Sequence, residues 1–251
     1  MRQMTDTPAE AQGSSSEVAP TGRFCAAMNL GNSYLVVKDS GTGELRGVTV
    51  DLSRALAAKL GVSVTLVEYR NVGAVVDSAR SGVWDIAFLA VDVARSDVDF
   101  TPPYMEVDNT VLLPASSTIR TLADIDRPGL RIAVPGRSAP DLLLTRTLKH
   151  ATLVRGETEL RAFDIFRAGQ ADAIASGRDS LLTLAAGAGY RALEEPLLLV
   201  PHAIALPKGR TGALEAVTLF IEEAEASGEV ARAIARAGLR GVSVAPAAGV
   251  K

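Results

Sequence analysis

In the stretch VDVARSDVDFTPPY, residues 91–104, one arginine follows an apolar run and precedes a Phe-Thr-Pro-Pro-Tyr segment that reads as a stop. Arginine presents a planar five-donor fork that fits a carboxylate in bidentate fashion, so Arg95 is a candidate anion anchor. Asp92, three residues earlier, can cap the short turn that aims it. The competing reading is an ion pair with Asp97 or Asp99, worth little if exposed. A second candidate lies in GRSAPDLLL, where Ser138 follows a predicted strand and starts a predicted helix. The positive end of the helix dipole and its free N–H groups favour an anion there, and Ser138 can cap the helix in either case. Other chemistry is poorly supported. Glu194-Glu195 and Glu222-Glu223 sit in polar contexts and read as solvated faces. No Gly-x-Ser-x-Gly elbow sets a nucleophile beside a base. His150 and His202 lack metal-ligand neighbours at helical spacing, and Cys25 stands alone as a buried, inert thiol, so neither a metal nor a cofactor is expected. The glycine-rich turn GTGELRG carries neither Gly-Lys-Ser/Thr nor Gly-x-Gly-x-x-Gly, and specifies a hairpin rather than a nucleotide site.

The elements that position these residues follow an α/β rhythm. From Phe24 the pattern gives a strand in RFCAAMNL, a helix in VTVDLSRALAAKLG with Asp51 as its candidate N-cap and Gly61 past its end, a strand in VSVTLVEY, a short helix in VGAVVDSARSG and a buried strand in WDIAFLAV leading to Arg95. After a further strand, NTVLLPA, the rhythm restarts with strands in LRIAVPG, ATLVRG and ADAIASG and helices between them. A strand in LLLVPHAIALPKG and one or two terminal amphipathic helices are left over, which fits a chain that crosses back into its first unit. The 251 residues suffice for two medium domains. A net charge of −3 with no basic block argues against nucleic acid, and no apolar run approaches the roughly 20 residues that cross a bilayer, so a soluble protein is expected. The first 22 residues are polar and Pro/Ser-rich, read as a disordered arm, and show no signal-peptide core. The expectation is a cytoplasmic chain or one whose export signal has been removed.

The succession from Phe24 to about Gly241 resembles the family 3 extracellular solute-binding proteins, the amino-acid-type binding components of ABC importers. GELRGVTVDLSRALAAKLG, GVWDIAFLAVDVARSDVDFTPPY and LADIDRPGLRIAVPGRSAPDLLL carry the resemblance, in the family's order. It implies an α/β, two-lobed periplasmic-binding-protein-like type II fold with two crossing hinge strands, closing on a small ligand. Lobe one would hold residues 23–112 and 198–245, and lobe two residues 113–197. It also implies a periplasmic monomer that serves an ABC permease.

By this resemblance Arg95 matches the arginine that grips a ligand carboxylate, and Ser138 the hydroxyl residue that shares it. The spacing from Arg95 to Phe100 is one residue shorter than the family pattern. Two acceptors are missing: Ala90 stands where a Thr or Ser is usual, and Gly177 where an Asp receives the ligand ammonium. A standard α-amino acid is therefore disfavoured unless Asp179 or Glu106 supplies the charge. Arg178, and Arg137 where glycine is frequent, add positive charge, so a carboxylate or another polar organic solute is expected. Asn29, Asn32 and Tyr34 of NLGNSYLVV replace the usual aromatic loop as ligand contacts. The alternatives are an enzyme of dehydratase-like elimination on the same fold, with Glu106 or Asp179 as acid or base, and a cytoplasmic ligand sensor.

Overall fold

A computed structural model describes residues 17–19, 22–187, 189–239 and 241–246. The first strand, β1 (Phe24–Asn29), is followed by a small hairpin of β2 (Val37–Lys38) and β3 (Leu45–Arg46). Helix α1 (Val48–Leu60), strand β4 (Val64–Tyr69), helix α2 (Val72–Asp77) and strand β5 (Ile86–Ala90) come next. β1 lies between β4 and β5 and is parallel to both. The helix α1 starts earlier than the sequence predicts. Gly47 (φ 134°) precedes its first residue, and Asp51 lies inside the first turn, ion-paired with Arg236 at 2.8 Å. Only glycine fits at 47, because a Cβ there would stand 2.5 Å from the Leu35 carbonyl oxygen. Gly61 closes the helix in the left-handed region (φ 68°), as its position predicts.

The long strand β6 (Val98–Pro114) runs straight through Thr101-Pro102-Pro103-Tyr104, where the sequence predicts a stop. Prolines cannot donate to a ladder and are tolerated at edges and bulges. Here the facing strand, β11 (Leu198–Pro207), shifts register at His202, Ala203 and Ala205, and the Thr101 hydroxyl accepts the Ile204 N–H at 3.1 Å. Between β6 and β11 lie β7 (Arg131–Pro135), α3 (Ala139–Thr147), β8 (Thr152–Gly156), α4 (Glu159–Arg167), β9 (Ala173–Gly177), α5 (Arg178–Leu184) and β10 (Tyr190–Ala192). Helices α6 (Thr211–Ala226) and α7 (Glu229–Arg236) and strand β12 (Val242–Val244) complete the described chain.

The resulting strand order, β4-β1-β5-β11-β6-β9-β7-β8, makes β11 and β6 the antiparallel pair that joins two parallel βα units. This is the two-lobed α/β arrangement expected. Each unit buries apolar side chains on both faces of its strands. Met28, Leu52, Tyr104 and Ile221 share one cluster of the first unit, and Trp84, Val75 and Leu89 another. In the second unit Ile132, Val134 and Leu144 form one cluster, and Phe163, Phe166 and Leu181 the other. The expected disordered arm is corrected at its described residues: Val18 and Ala19 are buried in the first unit, and Arg210 donates to the carbonyls of Glu17 (2.5 Å) and Val18 (3.1 Å). Residues 1–16, 20 and 21 of that arm lie outside the described residues.

Candidate functional site

Parallel strands of α/β units end at a common edge, and the loops beyond their C-terminal ends form the usual ligand crevice. The loops after β1, β5, β7 and β8 therefore converge between the two units. The cleft they make holds about 570 Å³ of empty space, open solvent at its mouth included. Asn29, Asn32, Tyr34, Ala90, Arg95 and Ser138 all line it.

Arg95 is only 6% exposed. Its turn is built as predicted: Asp92 accepts the Ala94 N–H at 2.8 Å through its side chain and the Arg95 N–H at 3.0 Å through its carbonyl. The guanidinium donates Nη1 to the Ala90 carbonyl and Nη2 to the Arg137 carbonyl at 3.3 Å. The competing ion pairs are not made. Asp97 holds Arg80 at 2.5 Å, and Asp99 accepts the Gly209 N–H at 2.8 Å. Among the described residues no carboxylate is ion-paired with Arg95. Burial brings its pKa down to about 10, with Asp92 opposing that shift. The shortened spacing to Phe100 thus leaves the side chain in the cleft.

Ser138 caps α3, accepting the Asp141 N–H at 3.4 Å. Asn29 Oδ1 accepts the Gly31 N–H at 3.1 Å, which shapes the turn. Asn32 Oδ1 is buried without a hydrogen-bond partner. The Tyr34 ring meets His202 edge to face with centroids 5.8 Å apart, and a Cβ on Gly177 would stand 3.0 Å from Tyr34 Cε1. The ring occupies the space into which a residue-177 side chain would grow.

Four of the expected contacts, Glu106, Arg137, Gly177 and Arg178, are not in the cleft lining. Arg178 braces β6, pairing with Asp108 at 2.5 Å and donating to the carbonyls of Leu193 (2.9 Å) and Glu194 (3.1 Å), so its charge is already neutralised away from the cleft. Glu106 lies opposite Pro201 and Ser243 in the strand ladder and does not line the cleft, nor does Asp179. Arg137, in the left-handed region (φ 61°), offers its carbonyl to Arg95 but sends its guanidinium across the rim to Asp77 at 2.8 Å. Two more ion pairs span the rim: Arg146 with Asp92 at 3.1 Å and Arg70 with Glu157 at 2.7 Å.

Spacing alone gives no sign of Glu159, which is 5% exposed and lines the same cleft. Thr158 caps α4, so Glu159 opens the helix directly after β8. Its Oε1 accepts from the Ser176 hydroxyl and from the Ser180 hydroxyl at 2.7 Å, and Oε2 from the Ser33 hydroxyl at 3.4 Å. Burial raises its pKa, against the pull of those hydroxyls. The available signal was the Thr158-Glu159 helix start, which the strand order sets beside Ser138. Asn71 enters the cleft as the cap of α2, accepting the Ala74 N–H at 2.9 Å.

His202 also lines the cleft, 2% exposed, with its Nδ1–H donating to the Val200 carbonyl at 3.1 Å and Nε2 left as an acceptor. Desolvation, with the Arg95 charge adding to it, lowers its pKa to about 4. A base whose folded pKa lies below its unfolded value stabilises the fold above about pH 6.5 and loses that contribution as pH falls toward 4. The expected loss from this residue is about 1 kcal/mol by pH 5.5, read from denaturant melts as a steeper pH dependence in the parent than in His202→Gln. Parallel pH profiles would remove His202 as the cause.

Comparison with known proteins agrees with the fold. Residues 32–238 match the family of bacterial extracellular solute-binding proteins, family 3. The ABC transporter glutamine-binding protein GlnH of Bacillus subtilis (strain 168) is 19% identical over 76% of this chain and 72% of its own. The glutamine-binding protein of Geobacillus stearothermophilus is 20% identical over 76% and 75%. Among solved structures, the ancestral amino acid-binding protein AncCDT-1, a precursor of cyclohexadienyl dehydratase, superposes with a TM-score of 0.77 at 22% identity, covering 88% of this chain and 97% of that one. With its β6–β11 crossing and interlobe cleft, and a match that spans both units, the chain belongs to family 3 of the bacterial extracellular solute-binding proteins.

Proposed function

We propose that the chain is the solute-binding component of an ABC importer and clamps a small carboxylate-bearing solute between its two lobes. Arg95 supports this reading above all: a guanidinium buried at the cleft with only carbonyl partners is an incomplete ion pair, and a ligand carboxylate completes it. Ser138, at the start of α3, is the second donor. The lobes are residues 23–112 with 198–245, and 113–197; the pairing of β9 with β6 from Asn109 favours a crossing somewhat before Leu112. The curated relatives named for glutamine binding support a solute of amino-acid size, and the permease is the partner that the family implies.

Elimination chemistry has less support. Glu106 and Asp179 do not line the cleft, and of the two carboxylates that do, Glu157 is held by Arg70 and Glu159 by three hydroxyls. A thermal-shift screen of small carboxylic acids and amino acids tests the binding reading. A ligand at a hundred times its Kd adds about 2.7 kcal/mol of stability. Stabilisation by amines without a carboxylate, and by none of the acids, would sink it.

The rim ion pairs make a separate prediction. They join the lobes only when the cleft is closed, so each slows ligand release. Arg137→Ala removes the link to Asp77, and an exposed pair of this kind contributes up to about 1 kcal/mol. The dissociation rate should rise up to about fivefold in stopped-flow traces at low salt, and the difference should shrink at 1 M salt, roughly, as charges are screened. A salt-independent effect would mean that packing rather than charge holds that corner.

A further inference from the structure

We infer that His202 is a second contact for the ligand carboxylate and couples its capture to the uptake of one proton. This rests on the carboxylate reading of Arg95. The ladder of β5 and β11 brings the two side chains to one place. Arg95 donates Nη1 to the Ala90 carbonyl, and His202 is the residue directly opposite Ala90 on β11. Opposed residues of an antiparallel pair point to the same face, with Cβ atoms about 5 Å apart. Ala90 brings only a methyl to that face, so the polar group on this rung of the cleft wall is the imidazole. The register of β11 against β6 shifts between His202 and Ala203, the kind of irregularity that re-aims a side chain beside a site. The Tyr34 ring packs edge to face against the imidazole at 5.8 Å and fixes its plane.

The tautomer decides what the ring can do. The Val200 carbonyl can only accept, so the proton of the neutral imidazole is on Nδ1, 3.1 Å from that oxygen. Nε2 keeps its lone pair, and a carboxylate has no proton to offer it. When the anion enters, Nε2 takes a proton from solvent and the new N–H donates to the carboxylate oxygen, so one proton is gained and no other bond changes. β5 and β6 set Ala90 and Met105 opposite the ring, and neither titrates. The titratable groups that share the cleft with it are Tyr34 after β1, Arg95 after β5, and Glu157 and Glu159 around the start of α4, of which Glu157 already has Arg70. Without an anion, desolvation and the Arg95 charge bring the His202 pKa down to about 4. The ligand carboxylate offsets the Arg95 charge and adds its own, and an adjacent opposite charge moves a pKa by about 1–3, here upward to about 5–7. Affinity is then highest at low pH, falls as pH rises through that range and is flat above it.

The test is calorimetry on the full chain with L-lactate, L-alanine and L-glutamine, from about pH 8 to about pH 5, in two buffers of different ionisation enthalpy. All three probes keep a largely ionised carboxylate over that range. A probe that binds should gain about two- to ninetyfold in affinity toward the acid end, where the buffer comparison should show uptake of about half a proton or more. His202→Gln keeps a polar side chain that cannot take a proton, so both effects should vanish. If the variant does not fold, the parent answers alone: its His202 ring signal, distinguished from that of His150, the only other histidine, should titrate at higher pH with the probe present. Binding with no pH dependence and no proton uptake overturns the inference and leaves Arg95 standing, with Nε2 accepting from a ligand donor. Uptake that persists in His202→Gln overturns it as well and assigns the proton to Glu159. Binding by none of the three carboxylates removes the reading of Arg95 and this inference with it.

Discussion

Arg95→Ala is expected to weaken ligand binding by about a thousandfold or more in calorimetry, about 4 kcal/mol, while the unliganded protein keeps its melting temperature. The two halves of this result have one physical origin. In the closed cleft the guanidinium meets a ligand carboxylate in low dielectric, where truncating one partner of a hydrogen-bonded charge pair leaves the other buried and alone. Without ligand, Arg95 is the group left alone, with two carbonyls for partners and a pKa depressed to about 10 by desolvation. Removing it relieves that desolvation and opens a cavity, and the two effects oppose each other. A structural arginine would behave differently, since its loss would lower the melting temperature and leave affinity nearly intact. Arg95→Lys separates charge from shape. The ammonium keeps the charge but not the planar fork, so its affinity should fall between those of the parent and the alanine variant. A melting temperature that drops with affinity unchanged would remove Arg95 as the anchor.

How much of this could be read in the sequence depends on the range of the determining interaction. The βα rhythm, the Gly61 helix end and the Ser138 cap depend on residues a turn apart, and each stands where periodicity and capping chemistry place it. Arg95 was legible for the same reason, because Asp92 builds its turn locally. The start of α1 was not. Asp51 has the right chemistry for a cap, but the carbonyl of Leu35, distant in sequence, leaves room only for glycine at 47 and so fixes the helix start there. The prolines of β6 mislead in the same way, since their missing donors matter only once the facing strand and its bulge are known. Glu159 shows the limit most clearly. Its three hydroxyl partners come from residues 33, 176 and 180, and no spacing rule links them. That residue 177 is a glycine without a side-chain acceptor is plain in the sequence, whereas the placing of the Glu159 carboxylate on the cleft required the strand order that sets β8 beside β7 and β7 beside β9.

That strand order also exposes the weakest point of lobe two. Gly156→Ala is expected to destabilise the protein by about 3 kcal/mol and to lower ligand affinity as well. A Cβ on residue 156 would lie 2.3 Å from the Ala162 backbone nitrogen and 2.7 Å from its Cα, and helical backbone cannot yield as a flexible side chain would. Either β8 must move, carrying the Gly156 carbonyl away from the Gly136 N–H it now holds at 2.8 Å, or α4 must move. The helix begins at Glu159, so its displacement pulls that carboxylate from Ser176 and Ser180 and couples packing to the site. Gly136→Ala is the matched control on the neighbouring strand end, because its Cβ would meet the Gly156 carbonyl oxygen at 3.5 Å, an ordinary contact. Its melting temperature should stay close to that of the parent. If the two variants melt together, the close approach of β8 and α4 is not what holds Glu159 in place.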